Sequence, residues 1–188
     1  STDYVFDGEK GSPYLPNDKK APLGIYGYTK SKGEDFIMET LSDKNKGHIM
    51  RTSWLLSSYG NNFALKILNK CGHEDQLKVI CDQIGSPTSA FTLAKACWQA
   101  IILKSGGLEI PKIMHYSDAG IASWYDIAVA IDEIGRKLNL IKNEIEILPI
   151  PSSSYTSKVT RPKYSVLNTF ETLDKLSLDS FYWRKTIE

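Results

Sequence analysis

No stretch of this 188-residue chain approaches the ~20 consecutive apolar residues that a membrane-spanning helix needs. Nor does the chain open on the basic-then-apolar pattern of a signal segment. Cysteine is scarce: Cys71, Cys81 and Cys97 are odd in number, widely spaced and form no C-x-x-C pair. That argues against a disulfide framework and against a zinc site, and His48, His73 and His115 do not cluster with them. A reducing, cytoplasmic setting is the plain expectation. An excess of one charge is missing too, with 23 Lys+Arg against 22 Asp+Glu and a formal net charge of +1. Bulk electrostatics therefore points neither to nucleic acid nor to a membrane surface as partner. Internal repeats are absent. So are glycine-rich phosphate-binding runs of the G-x-G-x-x-G kind; Gly106-Gly107, alone after a helical segment, reads as a helix stop.

What is present centres on Tyr26-Gly27-Tyr28-Thr29-Lys30, with Ser1-Thr2-Asp3-Tyr4-Val5-Phe6 upstream. A tyrosine four residues before a lysine on a helix places phenol and ammonium on one face, one turn apart. A free phenol has a pKa of roughly 10, and a nearby cation favours its ionised form. Such a tyrosine can protonate a carbonyl oxygen as hydride reaches the carbon, or run the reverse. Thr2 offers a hydroxyl to orient the same oxygen, or else to cap a strand-end turn. Tyr28 stands two residues before Lys30 and is expected to face away. Taken alone, the pair is weak evidence, because a surface tyrosine packed on a lysine stem is the commoner outcome.

Residues 9–24, rich in Gly, Pro, Lys and Asp, read as a loop entering the Tyr26 helix. Phe36, Ile37 and Leu41 fall at helical spacing, and Gly47 follows the helix end. Further helices are expected over 62–69 and 90–103, and from a Ser123 cap to about Leu138. Strands are expected at 48–53, 78–81, 112–116 and 144–150. Strands alternating with helices give an α/β architecture.

The motifs, taken in order, carry a resemblance. Ser1–Gly8 and Tyr26–Glu34 resemble the extended short-chain dehydrogenase/reductases. Arg51-Thr52-Ser53-Trp54-Leu55, Gly60-Asn61-Asn62-Phe63 and Asp82-Gln83-Ile84-Gly85-Ser86-Pro87-Thr88 narrow it to the dTDP-4-dehydrorhamnose reductase family. Ser123-Trp124-Tyr125-Asp126 and Arg161–Leu167 continue the match nearly to the C-terminus. The resemblance implies a partial doubly wound, Rossmann-like sheet domain plus a smaller C-terminal α/β substrate lobe. Residues 1–81 would be the remainder of the nucleotide-binding domain with the catalytic helix. Residues 82–188 would be mostly substrate lobe, with 91–118 returning to the sheet domain. Because the glycine-rich turn that meets the dinucleotide pyrophosphate is missing, the expectation is a C-terminal portion of the enzyme, inactive by itself.

The implied reaction is reduction of the C4 ketone of dTDP-4-dehydro-L-rhamnose to dTDP-L-rhamnose by NADPH or NADH, for surface polysaccharide. Tyr26 would be the proton donor, with Lys30 also bonding the nicotinamide ribose and Thr2 bonding the substrate oxygen. Asp3 and Tyr4 match positions lining the sugar pocket, and turn chemistry is their other reading. Trp54 matches a sugar-contacting position and is read as functional over core, whereas Trp98, Trp124 and Trp183 are read as structural. Asn62 and Phe63 are set to meet the nucleotide or, for Asn62, to cap a helix. Arg161 is placed near the diphosphate, or on the surface. Gln83, Pro87 and Thr88 are not separable from turn geometry. Some relatives bind a metal such as Mg at a subunit contact, although no ligand cluster is visible in this sequence, and a homodimer is compatible with the resemblance. Two other functions stay open: a reductase of another nucleotide-linked 4-keto-6-deoxy sugar, and a non-catalytic regulatory subunit.

Overall fold

A computed structural model describes residues 1–41, 46–157 and 159–188. In chain order the elements are α1 (Ile25–Leu41), β1 (Ile49–Arg51), β2 (Leu55–Leu56), α2 (Phe63–Cys71), β3 (Gln76–Ile80), β4 (Ile84–Gly85) and β5 (Thr88–Ser89). Then come α3 (Ala90–Ser105), β6 (Ile113–His115), β7 (Ala122–Ser123), α4 (Trp124–Lys137), β8 (Glu146–Ile150), α5 (Phe170–Leu176) and α6 (Trp183–Thr186). The fold is α/β, and among the described residues three of the four strand pairs are parallel.

Parallel pairing decides where the chemistry can sit. β1 runs beside β6 with Ile49 opposite Ile113 and Arg51 opposite His115. On its other side Thr2 bridges Thr52, also in parallel, and the Asp3 N–H donates to the Thr52 carbonyl at 3.0 Å. The C-terminal ends of these segments therefore gather Thr2–Tyr4, Thr52–Trp54 and Tyr116–Asp118 on one edge. That edge is where open parallel sheets bind ligands.

Local chemistry explains the helices. Ser123 caps α4 in a full capping box: its hydroxyl accepts from the Asp126 N–H at 3.1 Å, and the Asp126 carboxylate accepts from the Ser123 N–H at 2.7 Å. α3 stops where expected, at Gly106, with Gly107 in the left-handed region. α4 lays Ile127, Ala128, Ala130 and Ile131 into the largest of three apolar clusters, together with Ile67 and Cys71 of α2, Leu77 and Val79 of β3, and Trp54 and Trp183. Val5, Phe6, Tyr14 and Leu167 form a second cluster; Ala100, Ile110, Met114 and Leu176 form a third.

Two side-chain readings change. In α1 the spaced apolar residues are not the buried stripe: Phe36 is 66% exposed, and the buried positions are Gly27, Ser31 and Glu34. This helix is held by close backbone approach and an internal ion pair, not by an apolar face. Trp98, expected to be structural, is 64% exposed on α3, because α3 turns Thr92, Ala96 and Ala100 inward instead.

Candidate active site

The geometry of Tyr26 begins at the neighbouring glycine. A Cβ on Gly27 would lie 2.1 Å from the Tyr4 carbonyl oxygen, so only glycine lets α1 rest directly on that backbone. The approach sets the Tyr26 ring edge-on to Tyr4, with centroids 6.1 Å apart at 84°. One turn on, Lys30 Nζ lies 5.9 Å from the centre of the Tyr26 ring. Tyr26 is half exposed, and Lys30 faces solvent. Tyr28 keeps a different partner, Lys32, whose Nζ lies 5.9 Å from its ring centre.

Thr2 is buried at the strand end. Its hydroxyl accepts the Tyr4 N–H at 3.2 Å, capping the single 3-10 turn Asp3–Val5, and donates to Asp3 Oδ1 at 2.9 Å. Asp3 is only 2% exposed, and its Oδ2 has no hydrogen-bond partner among the described residues. Burial pushes this carboxyl up to about 7, against the Ser165 and Thr2 hydroxyls. Its Oδ1 engages the Thr2 hydroxyl, the turn chemistry that was the other reading of this residue. Burial, and then the neighbouring Asp3, push the Tyr4 phenol up to about 12, while the Arg161 guanidinium acts in the opposite sense. Arg161 reaches this group from the far end of the chain, where Pro162 packs so close to Gly8 that a Cβ there would lie 2.6 Å from the proline Cβ. Thr2, Asp3, Tyr4, Tyr26, Lys30 and Arg161 thus meet in one place.

Trp54 and Asn62 do not join them. Trp54 is 8% exposed in the main core, stacked on Trp124 at 3.7 Å with the rings 7° from parallel. Gly85 abuts the same indole, since a Cβ on it would lie 2.4 Å from Trp54 Cε2. Trp124 covers one face of the Trp54 indole and Gly85 abuts its edge, which is the packing that the core reading describes. Trp54 also sits at φ +43°, a left-handed conformation that costs a non-glycine residue on the order of 1–2 kcal/mol. Asn62 uses its amide fully on backbone: Oδ1 accepts from Leu65 N–H, and Nδ2 donates to the Ser57 and Tyr59 carbonyls. It caps α2, one of the two readings given for it. Phe63 packs on Trp124. Gln83 accepts the Trp124 indole N–H at 3.2 Å, and Pro87 and Thr88 are fully buried.

Sequence reasoning missed what anchors α1. Glu34, one turn beyond Lys30, takes two hydrogen bonds from Arg51 of β1, Nε to Oε1 at 2.8 Å and Nη2 to Oε2 at 2.7 Å, and both side chains are fully buried. Burial alone would raise Glu34, yet the Arg51 bonds and charge hold it below its ordinary value. Lys20 adds a second cation 3.3 Å from Oε2. Arg51 also donates to the Pro16 carbonyl and to His115 Nε2 at 3.1 Å, and His115 Nδ1 meets the Tyr14 carbonyl at 3.1 Å. Only a neutral imidazole protonated on Nδ1 satisfies both contacts, and burial with the Arg51 charge pushes His115 down to about 4. Both Glu34 and Arg51 stood in the quoted motifs, and the available signal was Glu34 sharing the Tyr26–Lys30 face of α1.

A cavity of about 660 Å³ lies elsewhere, lined by Leu56, Leu65, Leu68, Ile131, Leu138 and Ile187 among others, and it contains none of the six gathered residues. Glu188 at its rim is paired with Lys137. Among the described residues no helix is long and apolar enough to cross a membrane, and no three His, Cys, Asp or Glu side chains gather as a metal-ligand set.

Comparison with known proteins gives a consistent result. The family model described as the RmlD substrate binding domain matches residues 1–188. A dTDP-4-dehydrorhamnose reductase of Shigella flexneri is 37% identical over 171 residues, covering 90% of this chain and 56% of that protein. The spore coat polysaccharide biosynthesis protein SpsK of Bacillus subtilis is 38% identical over 188 residues, covering 100% of this chain and 60% of its own length. A crystal structure of dTDP-4-dehydrorhamnose reductase from Bacillus anthracis in complex with NADP superposes with a TM-score of 0.82 at 31% identity, covering 100% of this chain and 62% of that one. The chain thus spans a little under two thirds of the length of these relatives.

Proposed function

The chain belongs to the RmlD substrate binding domain family, and on that premise we propose that the whole protein reduces the C4 ketone of dTDP-4-dehydro-L-rhamnose with NADPH or NADH. The observation that carries this reading is the half-exposed Tyr26 with Lys30 over its ring, held against the Thr2–Tyr4 segment at the C-terminal edge of parallel strands. Relatives named as dTDP-4-dehydrorhamnose reductases, one of them in complex with NADP, support it.

Tyr26 gives its phenolic proton to the C4 oxygen, and Lys30 balances the phenolate that remains. The nicotinamide, when bound, supplies the hydride to C4. Lys30 suits the ribose of that cofactor because Glu34, one turn on along α1, is taken up by Arg51 and Lys20. Thr2 steadies the same substrate oxygen, and the Tyr4–Arg161 pair faces the sugar diphosphate side, where a guanidinium is suited to phosphate oxygens. In this reading 1–81 and 91–118 belong to the sheet domain, and the remainder mostly builds the substrate lobe. Free Cys71, Cys81 and Cys97 fit a reducing cytoplasm.

The test is to supply the whole protein with NADPH and dTDP-4-dehydro-L-rhamnose and to follow dTDP-L-rhamnose by chromatography. Stoichiometric product and NADP support the reading. Tight dTDP-sugar binding without any turnover would replace it with the regulatory subunit.

A further inference from the structure

We propose that Asp3 is a positioning residue that sets which way the Thr2 hydroxyl points, so that the neutral acid frees Thr2 to donate to the substrate oxygen and the carboxylate withdraws it. The proposal rests on the reductase reading of Thr2, Tyr26 and Lys30.

Thr2 Oγ1 has one hydrogen and two lone pairs. One lone pair receives the Tyr4 N–H, and the hydrogen lies along the 2.9 Å contact to Asp3 Oδ1. A ketone oxygen can only accept. While Asp3 is a carboxylate, Thr2 has a lone pair left for the substrate and no hydrogen. Place a proton on Asp3 Oδ1 and the bond reverses: Asp3 donates into the second Thr2 lone pair, and the Thr2 hydrogen turns toward the ketone. No proton leaves Asp3, so the reduction stays balanced as one hydride to carbon and one proton from Tyr26 to oxygen.

The surroundings favour the neutral acid. Asp3 is enclosed and its Oδ2 is unpartnered among the described residues, and burial outweighs the Ser165 and Thr2 hydroxyls and the Asp3 and Tyr4 backbone groups that favour the carboxylate. An unpaired buried carboxylate is costly. The groups round it are Thr2 and Tyr4 on its own segment, Tyr26 and Lys30 of α1 beyond Tyr4, Thr52 of β1, and Ser165 and Arg161 on the returning segment. Arg161 acts on Tyr4, and Ser165 is neutral. Asp3 therefore changes charge near neutral pH, about 7, and the hydroxyl switches with it.

The experiment follows kcat and kcat/KM against pH for the whole protein and two variants. The wild type should lose rate as pH rises through about 7. Asp3→Asn can present an amide N–H to Thr2 at every pH, so this limb should vanish. Thr2→Val has no hydroxyl to turn, so it should be slower at low pH and should also lack the limb. Loss of one donor to a developing oxyanion costs about 100- to 1,000-fold, and the limb should approach the depth of the Thr2→Val loss. Persistence of the neutral limb in either variant overturns the proposal, and Thr2→Val alone suffices if Asp3→Asn does not fold. An inactive wild type would instead overturn the reductase reading, and this inference with it.

Discussion

Two glycines in one helix should respond differently to alanine. Gly27 and Gly33 both lie inside α1, and on helix propensity alone each change to alanine should stabilise by about 1 kcal/mol. At Gly33 nothing lies within 4 Å of the new Cβ, so the gain should appear in full. At Gly27 the Cβ would stand 2.1 Å from the Tyr4 carbonyl oxygen and 3.0 Å from Pro22 Cβ. Neither neighbour is a flexible side-chain end, so α1 must retreat by about 1 Å, and overpacking of this kind costs roughly 1–3 kcal/mol. The net expectation is Gly27→Ala between neutral and about 2 kcal/mol destabilised, against Gly33→Ala stabilised. The larger effect belongs to activity, because the retreat carries Tyr26 and Lys30 away from Thr2. A misplacement of about 1 Å can cost on the order of 100-fold in rate. Urea denaturation of both variants, with kcat measured on the whole protein, decides the matter. A Gly27→Ala protein as stable as Gly33→Ala with wild-type kcat would refute the close-approach argument.

Trp54→Ala should lose roughly 3–5 kcal/mol of stability, because the indole is stacked between Trp124 and Gly85; a denaturation midpoint near wild type with weakened sugar affinity would return Trp54 to the pocket. Glu34→Gln leaves the Arg51 guanidinium buried without its carboxylate and should cost about 3–5 kcal/mol, read by the same denaturation. His115, held near 4 in the fold against 6.5 when free, is a group whose pKa is depressed by folding, so its stabilising contribution is complete above pH 6.5 and lost as pH falls through 4. The loss is on the order of 3 kcal/mol. Asp3, raised from 3.8 to about 7, works in the opposite sense: its contribution is present below pH 3.8 and lost as pH rises through 7. The two slopes oppose each other in the same window, so the wild-type profile alone reads neither. Stability of His115→Gln minus that of wild type, followed by denaturation from pH 7 to acid, should rise as pH falls below 6.5; a flat difference would count against a neutral buried imidazole.

Local signals were legible in the sequence because the chain itself completes them. Ser123 and Asp126 stand three residues apart and cap one helix, and Gly106 ends another; each needs only its neighbours. The Tyr26–Lys30 pair is legible for the same reason, one turn apart on α1. What escaped depends on distant partners. Glu34 and Arg51 are separated by 17 positions, and nothing local marks them as a buried pair. Trp54, read as functional, and Trp124, read as structural, stack on each other, because an indole's burial is set by what folds onto it. Asn62 carries the same amide whether it meets a nucleotide or the Leu65 N–H, and the helix N-terminus claimed it. For Asp3 the sequence left a sugar-pocket position and turn chemistry side by side, and only the fold shows how deeply its carboxyl is buried against Thr2.

The central claim is that the Tyr26 oxygen protonates a ketone. Tyr26→Phe removes that atom and leaves the ring against Tyr4. In the whole protein, with NADPH and dTDP-4-dehydro-L-rhamnose, kcat should fall by about 100- to 10,000-fold while calorimetric dTDP-sugar affinity stays near wild type. A Tyr26→Phe enzyme that turns over at the wild-type rate would contradict the account.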